Sequence, residues 1–62
     1  MNPTEARSHR LQELTRLVGR LSNQEKTSVE IIDAIRKRAY EMASPTTAEN
    51  YVQEIIRRYS KN

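Results

Sequence analysis

Three helix-start signals divide this 62-residue chain and leave room for little besides three helices. The first is Asn2-Pro3-Thr4-Glu5. Asn caps an unpaired backbone N–H, Pro suits the first helical position, and Glu falls where a capping box places it. The second, Thr27-Ser28-Val29-Glu30, has the T-x-x-E form of a capping box. The third, Ser44-Pro45, joins an N-cap residue to a proline at the first helical position, and Pro45 turns the residues before it away from helix.

Each signal precedes an apolar stripe of helical period. Leu11, Leu14, Leu17, Val18 and Leu21 fill an arc of roughly 120°, the width of a core-facing stripe, with Arg16 and Arg20 opposite. Gly19 lies inside that segment, but Leu21 stays in phase, so the first helix runs over about 3–21. Polar Ser22-Asn23-Gln24-Glu25-Lys26 reads as loop, making a connection of about six residues. Ile31, Ile32, Ile35, Ala39 and Met42 share a face of a second helix, about 28–42. Its acids Glu30 and Asp33 come early and Arg36, Lys37 and Arg38 late, which complements the macrodipole. Val29 to Ile32 does not alternate as a half-buried strand does. Ala48, Tyr51, Val52, Ile55, Ile56 and Tyr59 recur at i, i+3, i+4, i+7, i+8 and i+11, giving a third helix over about 45–59, after a turn of about three residues. Ser60-Lys61-Asn62 reads as a frayed tail. The expected fold is all-α: one domain spanning residues 1–62, a three-helix bundle with helices two and three in a helix-turn-helix arrangement.

Size and composition narrow the function. A single core in so short a chain supplies only about 3–5 kcal/mol net. With no cysteine, neither disulfides nor thiolate zinc sites are available. A catalytic pocket commonly needs about 300–1,000 Å³, which such a core can hardly spare. His9 is the single histidine and lies on the polar side of helix one. Gly19, the single glycine, cannot make a phosphate loop. Glu30 and Asp33 are explained by the macrodipole. The reading is therefore a protein that is not an enzyme, with no cofactor, no metal and no small-molecule substrate. Its short apolar runs and N-terminal sequence predict no membrane span and no secretory signal, hence a cytoplasmic protein.

The polar side of helix three carries the strongest functional signal. Thr46, Asn50, Gln53 and Arg57 recur at i, i+4, i+7 and i+11, a line of about 16 Å at 1.5 Å per residue. Asn and Gln pair bidentately with adenine and Arg with guanine, while Thr reaches a phosphate or a thymine methyl. The line holds no acid, although Glu49 and Glu54 flank it. The net charge is +3, concentrated in helix one, where four arginines against two glutamates leave +2; helices two and three sum to zero. Any basic patch must therefore come from folding. Tyr51 and Tyr59 read as core or core-edge residues; Tyr40 lies off its helix's stripe and is open to edge packing, a phosphate contact or a dimer contact.

The stretch from Thr27 to Tyr59 resembles the helix-turn-helix core of small prokaryotic and archaeal DNA-binding domains, above all that of winged-helix regulators. The resemblance rests on the start Ser44-Pro45-Thr46-Thr47-Ala48, followed by Tyr51-Val52 and Ile55-Ile56 on the core side. The chain departs from that pattern at Glu41-Met42-Ala43, where a glycine is common, and has no wing hairpin after Tyr59. The resemblance implies double-stranded DNA as partner, with helix three in the major groove. Thr46, Thr47, Asn50 and Gln53 would face bases, while Arg57, Arg58, Lys37 and Arg38 would face backbone. It also implies a small transcriptional or replication regulator, and surplus apolar surface on helix one would serve a homodimer. The rival reading is a helical protein-interaction or dimerisation module that binds no nucleic acid.

Overall fold

The computed structural model describes residues 2–60, so the tail expectation for Lys61 and Asn62 lies outside the described residues. Three helices follow one another: α1 Pro3–Asn23, α2 Ser28–Met42 and α3 Pro45–Tyr59. No strand occurs among the described residues, and the fold is an all-α three-helix bundle. No helix among them is long and apolar enough to cross a membrane.

Two of the starts form as read. The Glu5 N–H donates to Asn2 Oδ1 at 2.9 Å. Thr27 and Glu30 make a full capping box, with Glu30 N–H to Thr27 Oγ1 at 3.2 Å and Thr27 N–H to Glu30 Oε1 at 2.9 Å. Ser44 is the N-cap of α3 by position only. Its side chain caps no backbone N–H; the hydroxyl donates instead to Thr47 Oγ1 at 3.2 Å.

The first loop is shorter than expected, because α1 takes in Ser22 and Asn23. The helix stops in a Schellman motif: Glu25 N–H bonds Ser22 O at 3.0 Å and Lys26 N–H bonds Leu21 O at 3.2 Å. Glu25 occupies the left-handed position, at φ 60°, that glycine ordinarily fills. The break between α2 and α3 is only Ala43 and Ser44, with Ala43 extended and packed against the core.

The core joins Leu11, Leu14 and Val18 of α1 to Ile35 and Ala39 of α2 and to Ala48, Tyr51, Val52 and Ile55 of α3. α2 and α3 make the most extensive contact and α1 and α3 the thinnest. Ala39 and Ala48, both fully buried, keep the two closest helices free of bulk where they meet the core. Arg10 of α1 donates to the Tyr51 hydroxyl at 3.4 Å, so the polar tip of this buried ring is satisfied. Tyr59, expected at the core or its edge, is 56% exposed.

Candidate nucleic-acid interface

The helical period that buries Val52 and Ile55 turns Thr46, Asn50, Gln53 and Arg57 outward, and all four are exposed. Among the described residues, the side-chain hydrogen bonds of α3 engage Ser44, Thr47, Glu49, Tyr51, Glu54, Arg57 and Arg58. Thr46, Asn50 and Gln53 are absent from that set, so their hydroxyl and amide groups face solvent with donors and acceptors unspent.

Each of the two flanking acids is paired with arginine. Glu49 accepts from Arg36 Nε at 2.9 Å and from the Tyr40 hydroxyl at 2.7 Å. The Arg36 bond, then the Tyr40 bond, hold its carboxyl below the usual range. In return the Tyr40 phenol is raised, chiefly by its bond to Glu49. This places Tyr40 at the α2–α3 edge. Glu54 is held by Arg57 and by Arg58, whose Nε lies at 2.9 Å, and its carboxyl is lowered by Arg57 first and Arg58 second.

These pairs change the roles open to the basic residues. Arg57 and Arg58 are both paired with Glu54, which takes only the Nε of Arg58 and leaves its terminal nitrogens unbonded. Arg38 is spent on packing: it is clasped by Glu13 of α1 and by Glu41 at 3.3 Å, and the bond to Arg38 lowers Glu13. Lys37 is exposed and makes no ion pair among the described residues. Thr47 is half-buried and partnered by Ser44, which turns it from the exposed row. His9 is exposed, and no cluster of metal-ligating side chains exists among the described residues.

Two features of the surface depend on which helices meet. A hollow of about 380 Å³ lies between the first turns of α1 and the end of α3, with Arg7 and Arg58 on its walls. An apolar cleft of about 360 Å³ opens where the end of α1, the start of α2 and the end of α3 converge. Val18, Ile31, Ile32, Ile56 and Tyr59 line it, and Gly19 forms part of its wall. Val29, 69% exposed, lies on the same first turn of α2 as the cleft residue Ser28. Of the exposed large hydrophobic side chains among the described residues, Val29 and Tyr59 lie at this end of the bundle, Tyr40 lies near the far end of α2, and none belongs to α1.

Comparison with known proteins finds no matching family model, no matching curated protein and no matching solved structure.

Proposed function

We propose that the chain is a DNA-binding domain that reads the major groove with α3. One observation carries the reading: Thr46, Asn50 and Gln53 form an exposed row of unspent polar groups, and arginines neutralise the acid on either side. A base-reading surface needs donors and acceptors that no neighbour has claimed, and it needs local charge that does not repel phosphate. The row meets both conditions. The brief Ala43-Ser44 break and the close α2–α3 packing suit a positioning helix beside a reading helix. Lys37 is the residue of α2 best suited to a phosphate, and a role in transcription or replication control follows from the same reading.

A second reading, a helical protein-interaction module, is favoured by the apolar cleft and by exposed Val29 and Tyr59. Titration with duplex DNA of mixed sequence, followed by amide shifts, separates the two. DNA reading predicts shifts along residues 44–58 and an affinity that falls steeply with salt. Silent α3 amides at low salt, together with a mass that rises with concentration, would favour the interaction module instead.

A further inference from the structure

The hollow between α1 and α3 is built like an anion receptor. Thr4, Arg7, Ser8 and Gln12 lie on successive turns of one side of α1, Arg58 enters from α3, and buried Leu11 forms the floor. No carboxylate lines it. Glu5 accepts from Asn2 Nδ2 at 3.3 Å, and Glu54 accepts from Arg57 and from the Nε of Arg58 itself, so Glu54 offsets part of the Arg58 charge from outside the lining.

The donors are both numerous and free. Among the described residues, the side-chain hydrogen bonds of α1 engage Asn2, Glu5, Arg10, Glu13 and Thr15, and none engages Thr4, Arg7, Ser8 or Gln12. Glu54 takes only the Nε of Arg58 and so orients its guanidinium, leaving both terminal nitrogens unbonded. Two guanidinium forks offer paired N–H groups at the spacing of phosphate oxygens, and hydroxyl and amide donors complete the shell. Buried Leu11 closes the hollow from below, while the donors around it are open to solvent and to an entering anion. The first turns of α1 add the positive end of its dipole.

We propose that this hollow binds a phosphate group, through Arg7 and Arg58 with Thr4, Ser8 and Gln12. The site goes beyond the α3 reading and stands on its own observations. Its phosphate comes either from a nucleic-acid backbone or from a free phosphate.

The test titrates the full chain with inorganic phosphate at constant ionic strength and follows backbone amides and arginine Nε–H resonances. Saturating shifts at Thr4, Ser8, Arg7 and Arg58 are expected. Arg7→Ala or Arg58→Ala should weaken binding about tenfold, and Arg7→Lys should fall between, because it keeps the charge and loses the fork. Arg20→Ala, exposed and remote from the hollow, should bind as the parent does. A parallel titration with a short duplex identifies the source: Arg7 and Arg58 respond if it is backbone phosphate and stay silent if it is free phosphate. Silent α3 amides in that arm would end the DNA reading and leave the hollow standing on the inorganic arm. Non-saturating shifts, or Arg7→Ala and Arg58→Ala variants that behave like Arg20→Ala, with no response to the duplex, overturn the proposal.

Discussion

Arg36 of α2 and Glu49 of α3 are joined across the inter-helix break, Nε to Oε2 at 2.9 Å and Nη2 to Oε1 at 3.5 Å. The pair ties the two helices together and neutralises the acid beside the exposed row. Glu13, paired with Arg38, likewise joins α1 to α2, while Glu54 is neutralised within α3 by Arg57 and Arg58. In each case the guanidinium bond favours the ionised carboxylate and holds its pKa below the ordinary glutamate range. A lowered carboxylate stabilises the fold above its unfolded pKa, and that stability is lost as pH falls through the folded value. The thermal midpoint should therefore hold at neutral pH and fall progressively below about pH 5. Glu49→Gln should shallow the fall without removing it. A midpoint that rises on acidification would contradict these ion pairs.

Glycine and glutamate are exchanged relative to where the backbone wants them. Gly19 sits in the interior of α1, without a positive φ, and an added Cβ would meet nothing within 4 Å. Glu25 sits at φ 60°, where glycine is at ease. Gly19→Ala and Glu25→Gly should each stabilise the fold by about 1 kcal/mol. Each should raise the midpoint of a domain this small by about 4–8 °C. Thermal melts of both variants check this. A lowered midpoint for Gly19→Ala would contradict the open space beside its Cα.

The core has little to spare. Leu14, Ile35 and Val52 are its largest fully buried side chains, one from each helix. Leu14→Ala should cost about 2–5 kcal/mol, against about 3–5 kcal/mol for the whole domain. The variant should be largely unfolded at room temperature by far-ultraviolet circular dichroism. Retention of a full cooperative melt would imply added stability from association, which the concentration dependence of the midpoint would reveal.

What the sequence reveals divides by range. The three starts and the outward row on α3 were legible, because caps and stripes are local signals written within a few residues. The end of α1 was not, since its Schellman motif uses Glu25 where a reader looks for glycine. The fates of Arg38 and Arg36 were hidden as well. Arg38 finds Glu13 at a separation of 25 residues, and Arg36 finds Glu49 only because α2 folds back on α3. Charge order along α2 suggested a dipole role for all three basic residues, but the last turn of α2 carries none. The hollow holding Arg7 and Arg58 likewise exists only after the chain's two ends meet.

Within the DNA reading, the exposed row and the basic residues of α2 should separate cleanly. Asn50→Ala removes a side chain able to pair bidentately with adenine and should reduce discrimination between a preferred and a scrambled duplex by about tenfold. Lys37→Ala should weaken all duplexes alike and lower the slope of log affinity against log salt by about one. Arg38→Ala should leave that slope unchanged and lower the thermal midpoint, because its guanidinium is already committed to Glu13 and Glu41. Binding isotherms over a salt series, with both duplexes and all three variants, give the comparison. If Asn50→Ala lowers affinity for both duplexes equally, the reading surface is elsewhere. If Arg38→Ala rather than Lys37→Ala lowers the slope, the Glu13 clasp opens when DNA binds.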